Sequence, residues 1–392
     1  VSATLPGIPR VSVVMSTFNR AELLGKALDS ILALDPPVHE VVVIDDGSSD
    51  RTAEVLAGFG PRVRFECRAN GGKSSAINRA VAIATGDWVW ICDDDDEVVP
   101  DAVGVFTRGL AEAPGADFVY TGVAHLIRDG GGEYRQVLPG AVRLPPSAAL
   151  EASLFAGRWI PYLPSVMIRR DLYLSLGGLR EDLRRVEDED FALRLAHAGR
   201  GAPVEAVTYL IRAHDGERGA GAGQFSNAMR EDVDITFLRA IYENIYRSYP
   251  LDAFRPPAGG AGPLPDQPGL FRLMVMFRVC SWAIVLDEYR RLRAESQGAE
   301  CLGALQDGVS GLIDGFSPNK VRALFASPFV AELLRDKPSP LRAALVQGMA
   351  RGLYWSLRRD LRQRAFGGLA AKAWRIIRCR IAPRAARLPL SG

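Results

Sequence analysis

Histidine and cysteine are both scarce in this chain, four and five residues in 392. The cysteines (Cys67, Cys92, Cys280, Cys301 and Cys379) stand far apart, with no C-x-x-C and no Cys/His spacing of a zinc site. A disulfide scaffold is thereby excluded, and free thiols in a reducing, cytoplasmic compartment are expected. Long apolar runs are missing too. No stretch approaches about eighteen uninterrupted apolar residues, and the opening VSATLPGIPR lacks the charged start and apolar stretch of a signal peptide. Neither a membrane span nor a secretory address is expected. The first apolar run is not followed by G-x-G-x-x-G, which removes a nicotinamide-dependent oxidoreductase.

What is present is an ordinary globular balance, 48% apolar and 24% charged, in a chain long enough for two domains. The net charge of +2 hides an asymmetry: residues 341–392 hold twelve Lys/Arg against one acid, Asp360. A basic tail on an acidic body points toward a phosphate-rich lipid surface or an anionic acceptor, and no nucleic-acid partner is expected.

Apolar runs at Val11–Met15, Val41–Ile44 and Trp88–Cys92, separated by helix-length amphipathic stretches, predict buried parallel strands of an α/β sheet. Asn19 with Glu22 predicts a capping-box start for a helix that buries Leu24, Leu28 and Ile31. Further helices are expected over Thr52–Phe59 and Ser74–Ala84, with strands over Val63–Cys67 and Val204–Arg212. A hairpin is expected over His125–Leu138, turning at Gly130–Gly132. Arg255–Pro268 is dominated by Pro, Gly and Ala and reads as linker. The expected division is residues 1–250, linker 251–268, and a small all-α domain 269–392 with helical spacing over Leu270–Arg293, Leu302–Ile313, Lys320–Leu334 and Leu341–Leu361. The amphipathic, basic Leu369–Ala382 fits peripheral contact with the inner face of a membrane, or packing on the rest of its domain.

Four acids in a row, Asp93–Asp96, follow the strand WVWIC at the carboxyl end, where open parallel sheets place ligands. Adjacent carboxylates repel, and Mg²⁺ or Mn²⁺, which also holds substrate phosphates, relieves that repulsion. A metal-diphosphate site is expected there. Asp45–Asp46 ends another strand, where a carboxylate can accept from a ribose hydroxyl or a pyrimidine imide. Ser16-Thr17-Phe18-Asn19 offers hydroxyls and an aromatic face, and the Asn70-Gly71-Gly72-Lys73 turn a cation for a nucleotide's anionic end.

In order, VSVVMSTFNR, VVVIDDGSSDRT, NGGKSSAINRA, GDWVWICDDDDEVVPD, SVMIRRDLYLSLGGL and VEDEDFALRLAHAG resemble family-2 glycosyltransferases, over about residues 10–215. The resemblance implies a glycosyltransferase-A fold, a Rossmann-like domain with a mostly parallel central sheet, and a nucleotide-diphosphate sugar donor, with UDP the expected nucleotide. It implies that Ser16, Thr17, Phe18 and Asp46 line the base and ribose, and that Lys73 faces the diphosphate. Asp95 is implied as the metal ligand, with Asp93 or Asp94 on the ribose. His214, in the R-x-H segment IRAHDGERG, is implied beside the metal or phosphate. Glu187 and Asp188 match the family's Glu-Asp pair, with Asp188 the general base of an inverting reaction and Glu187 or Asp190 the alternatives.

Asp182, Arg184, Arg185 and Asp190 read as surface charges, with Asp190 and Arg194 an i,i+4 pair. His39, His125 and His197 read as surface or packing residues. The glycine-rich RGAGAG at 218–223 suggests a lid that orders on donor binding. Trp159, Tyr162 and the Phe237–Tyr246 stretch are acceptor-side or core aromatics. The acceptor, a glycan, lipid-linked glycan, peptide or small molecule, stays open, as does homo-oligomerisation. The competing readings are an inactive glycosyltransferase-like scaffold or carbohydrate-binding protein, and a sugar-phosphate nucleotidyltransferase. The Ala/Arg/Gly-rich composition suggests a bacterial source, with a role in cell-envelope or natural-product glycosylation.

Overall fold

A computed structural model of the chain describes residues 7–128, 134–137, 142–157, 162–212, 227–254, 256 and 265–362. The chain divides into two compact units, residues 1–154 with 158–230, and residues 155–157 with 231–392. Among the described residues no helix is long and apolar enough to cross a membrane.

The first unit begins with the expected alternation: β1 (Val11–Thr17), α1 (Ala21–Leu32), β2 (Glu40–Asp45), α2 (Thr52–Gly58), β3 (Arg64–Cys67), α3 (Lys73–Ile83) and β4 (Trp88–Ile91). β1 pairs in parallel with β2 and β4, and β2 with β3. Val11, Val13, Val14 and Met15 are all fully buried, because helices cover both faces of a parallel strand. The helix α1 buries Leu24, Leu28 and Ile31 as its spacing predicts.

Its start corrects the capping-box expectation. Arg20 is the N-cap residue and makes no side-chain cap bond, whereas Asn19 lies before it at φ +52°. The Asn19 side chain instead accepts from Ser49 N at 2.8 Å, and the orphan Ala21 N–H is taken by Asp50 at 3.2 Å. The helix is capped from the Gly47–Asp50 turn, a partner remote in sequence that no local pattern reveals.

Beyond β4 come β5 (Glu97–Val98), α4 (Ala102–Glu112), β6 (Phe118–Arg128), β7 (Tyr134–Val137), α5 (Leu150–Phe155), β8 (Val166–Arg169), α6 (Arg170–Ser175), α7 (Glu187–Ala198) and β9 (Gly201–Arg212). The sheet order is β3-β2-β1-β4-β8-β6-β9-β5, with β7 also on β6. β8 runs antiparallel to β4 and β6, β5 to β9 and β7 to β6, while β6 and β9 are parallel. The mostly parallel sheet is therefore corrected to a mixed one, with four parallel and four antiparallel pairings among the described residues. A parallel neighbour needs a crossover, and β8 enters from the Leu163–Ser165 turn running the other way. The expected hairpin is present as β6–β7, with His125 opposite Val137. Its turn, Gly130–Gly132, lies outside the described residues.

The remaining elements are helical: α8 (Asn227–Ser248), α9 (Pro268–Arg278), α10 (Trp282–Leu292), α11 (Ala299–Asp314), α12 (Pro318–Ala326), α13 (Pro328–Arg335) and α14 (Pro340–Arg362). Two stretches read as single helices are broken. Cys280 at φ +57° separates α9 from α10. Ser327 ends α12 and caps α13, accepting from Val330 N, with Pro328 in the first turn, where a missing N–H leaves no bond unmade. The second unit encloses Glu288, fully buried on α10, between Arg272 at 2.9 Å and Arg291. Tyr246 donates to the same carboxylate at 3.0 Å, and Tyr242 packs against Phe155, so these α8 aromatics serve the interior of their own unit.

Candidate active site

β1, β2 and β4 end at one edge of the sheet. Thr17 lies opposite Asp45, Asp46 N donates to Thr17 O at 2.9 Å, and Cys92 N to Val14 O at 3.0 Å. Parallel register thus brings Ser16–Phe18, Asp45–Asp46 and Asp93–Asp96 to the same carboxyl edge. Ser16 and Phe18 are half-buried there and Thr17 is buried.

Asp46, 3% exposed, accepts from Gly71 N at 2.9 Å and Gly72 N at 2.7 Å, with Arg68 Nε 3.3 Å away. Its carboxylate therefore shapes the 70–73 turn that presents Lys73. Gly72 has φ +90°, a conformation costly to any residue with a Cβ. At Gly47, φ +87°, a Cβ would stand 2.9 Å from Asn70 N, so glycine lets the two turns approach.

The acidic turn is held by three cations and a tyrosine hydroxyl. Lys73 Nζ donates to Asp93 Oδ1 at 2.7 Å, and Asp93 N donates to the Tyr209 hydroxyl at 2.9 Å. Asp95 lies 3.7 Å from the Arg20 guanidinium. Asp96 is buried and accepts from Arg212 N at 2.7 Å, while the Arg212 side chain reaches Asp95 O at 3.0 Å and pairs with Glu97. Asp94 behaves differently. Burial and the neighbouring Asp95 charge push its carboxyl up to about 7, against weaker opposition from the Thr17 hydroxyl and Arg20.

Glu187 and Asp188 open α7, as expected, and Phe191 and Leu195 are on its buried face. The preceding residue, Val186, sits at φ +57°, ψ 23°, a left-handed conformation unfavourable for a β-branched side chain. Asp188 Oδ1 accepts from Glu189 N at 2.8 Å. Burial first, then the Glu187 charge, raises the Asp188 carboxyl to about 6, with Lys73 opposing. For Lys73, loss of water opposes the charge, but Asp93, Glu187 and Asp188 outweigh it and raise its pKa. A small cleft of about 50 Å³ is lined by the charged Lys73, Asp93, Glu187 and Asp188 and by Tyr162, Pro164 and Leu179. Tyr162 is 50% exposed at this wall.

Asp190 is not the surface charge its sequence context suggested. It is 5% exposed and pairs with Arg194 at 2.6 Å and Arg180 at 3.6 Å. His39 bonds Arg10 at 3.0 Å and His197 bonds Glu151 at 2.8 Å. His214, the 218–223 segment, Trp159 and the Leu369–Ala382 stretch lie outside the described residues. The sequence reading missed Arg20, Arg68 and Tyr209. Arg212 carried a signal, as the arginine of the R-x-H segment, but only folding brings it under the acidic turn.

Among the described residues no three His, Cys, Asp or Glu side chains form a ready metal cage. Mg²⁺ keeps several waters and takes one or two carboxylates plus substrate phosphates. Asp95, with the Asp94 carboxyl beside it on the turn, suits that mode of binding.

The family described as Glycosyl transferase family 2 matches residues 12–175. The succinoglycan biosynthesis protein ExoO of Rhizobium meliloti (strain 1021) is 30% identical over 255 residues, 62% of this chain and 70% of that protein. The chondroitin synthase of Pasteurella multocida (strain Pm70) is 36% identical over 207 residues, 52% of this chain. This chain spans only 20% of that synthase. Among solved structures, S. aureus TarS 1-349 in complex with UDP-GlcNAc is similar with a TM-score of 0.52 and 16% identity, covering 91% of this chain and 93% of that one. The likeness to TarS is one of fold.

Proposed function

The chain belongs to glycosyl transferase family 2, and we propose that it is an active inverting transferase, moving a sugar from a nucleotide diphosphate, expected to be UDP, to an acceptor hydroxyl. The observation that carries this reading is Asp188, raised to about 6 in a cleft that it lines together with Lys73 and Asp93. A carboxylate so tuned is ionised at neutral pH yet basic enough to take a proton.

In this reading Asp188 accepts the acceptor's proton as the hydroxyl attacks the anomeric carbon from the side opposite the diphosphate. Glu187 keeps the Asp188 carboxylate basic by charge repulsion. Lys73 faces the diphosphate, Asp93 or Asp94 the ribose, and Ser16, Thr17, Phe18 and Asp46 the base. Asp95, with His214, would hold Mg²⁺ or Mn²⁺, which when bound neutralises charge on the departing diphosphate. Residues 1–250 form the donor-binding catalytic domain in this proposal, with 251–268 as linker and 269–392 serving acceptor, oligomer or membrane contacts. Cys67, Cys92, Cys280 and Cys301 form no disulfide among the described residues, and a cytoplasmic site of action is part of this proposal.

The test is sugar transfer and donor hydrolysis across a panel of nucleotide sugars, with and without Mn²⁺, in wild type, Asp188→Asn and Asp95→Ala. Asp188→Asn should lower kcat by about 10²–10⁴-fold, the usual contribution of a general base, while leaving UDP binding intact. Asp95→Ala should abolish stabilisation by UDP plus Mn²⁺. Turnover undiminished in Asp188→Asn would overturn the assignment of the base.

A further inference from the structure

We propose that Asn78 is a positioning residue for the transfer step, its carboxamide clamping the segment that leads into Glu187 and Asp188 onto the helix that carries Lys73. The inference rests on the reading of Asp188 as base. Asn78 lies on α3 beyond Lys73. Its Nδ2 donates to Leu179 O at 2.8 Å and to Glu181 Oε1 at 3.0 Å. Its Oδ1 accepts from Leu179 N at 2.9 Å and from the Tyr173 hydroxyl at 2.7 Å. Two donors and two lone pairs are the whole capacity of a carboxamide, and only one orientation of the amide satisfies all four partners.

The backbone is built to press on this group. Gly178 has φ +69°, and a Cβ there would stand 2.4 Å from Asn78 Oδ1. From the other side Arg194, on α7, donates to Leu176 O at 2.8 Å and Gly178 O at 2.9 Å while pairing with buried Asp190. The segment 176–181 is thus pinned between α3 and α7. Leu179, the residue gripped at both N–H and C=O, is itself a wall of the cleft that holds Lys73 and Asp188. The spacing of donor-side cation and acceptor-side base is therefore transmitted through Asn78, and a misplacement of about 1 Å in such a pair can lower a rate about 10²-fold.

Asn78→Asp keeps size and acceptor capacity but loses both donations and sets a carboxylate against Leu179 O and Glu181. Asn78→Ala removes all four bonds. In both, kcat should fall about 10–100-fold while the UDP dissociation constant stays within about twofold, the signature of a loss felt in the transition state. The charged groups facing Asp188 are Glu187 and Glu189 on its own helix, Lys73 on α3, and Asp93 through its pair with Lys73. A loosened loop admits water to Asp188, so the acid limb of the kcat profile should move to lower pH by about half a unit or more. Tyr173→Phe, which removes one donor, should lower kcat less than about threefold, and it carries the test with Asn78→Asp if Asn78→Ala does not fold.

Amide exchange at Leu179 reads the clamp without any reaction, and should accelerate at least about tenfold in Asn78→Asp. Unchanged exchange, or a kcat within about twofold of wild type at an unmoved acid limb, overturns the proposal. If wild type transfers no sugar from any donor, the functional reading falls and the exchange result alone decides the clamp.

Discussion

Replacing Asp188 by Asn should stabilise the protein, and by an amount that grows with pH. The folded state raises the Asp188 carboxyl from 3.8 to about 6, chiefly by burial. At 1.36 kcal/mol per pH unit, ionising it in place at pH 8 opposes folding by about 3 kcal/mol, and local relaxation can halve that. An acid whose pKa is raised on folding binds its proton more tightly in the folded state. Its share of stability is complete below about pH 3.8 and is lost as pH rises through about 6. Asn is neutral throughout, is nearly isosteric, and its Oδ1 can still accept from Glu189 N. The variant should therefore match wild type near pH 4 and exceed it by about 1.5–3 kcal/mol at pH 8, or roughly 3–10 °C in Tm for a unit of this size. The assay is thermal unfolding of both proteins between pH 4 and 8.5, followed by near-UV circular dichroism. A Tm difference that is flat across this range, or a variant less stable than wild type at pH 8, would refute the claim that Asp188 is held strained and basic for its task.

The salt bridge of Lys73 with Asp93 leads to a further expectation. Lys73→Met removes the cation that lowers the Asp188 pKa, so the acid limb of the rate profile should move upward from about 6, and UDP affinity should fall about tenfold or more, as titration calorimetry would show. In the second unit Glu288→Ala leaves Arg272, 12% exposed, without its carboxylate and should destabilise by about 3–5 kcal/mol in urea unfolding, and because Glu288→Gln removes the same charge while keeping the size, a much smaller loss in Glu288→Gln would argue against charge as the cause.

The strands and helices of residues 11–91 were legible because buried parallel strands and amphipathic helices carry their own periodicity. Leu24, Leu28 and Ile31, or Val41–Ile44, need no partner to declare which side is apolar. Beyond β4 the pattern weakened for a physical reason. Apolar spacing identifies a strand but not its direction, and the antiparallel entry of β8 depends on a turn whose partners are elsewhere in the sheet. The breaks at Cys280 and Ser327 escaped notice because the apolar periodicity continues on both sides of each.

The chemical types at the site were likewise fixed by sequence. Acids at strand ends, a Gly-Gly-Lys turn and a Glu-Asp pair opening a helix are local signals, and each stands where its strand or helix delivers it. Their mutual relations were decided only in three dimensions. Asp46 turned out to grip the Gly71–Gly72 backbone, Arg20 and Arg212 to brace the acidic turn, and Asn78 to join Lys73's helix to the approach to Asp188. These contacts close between segments up to 117 residues apart. Sequence chose the ionisable groups, but burial and neighbouring charge set which of them holds its proton, and both are properties of the packed fold.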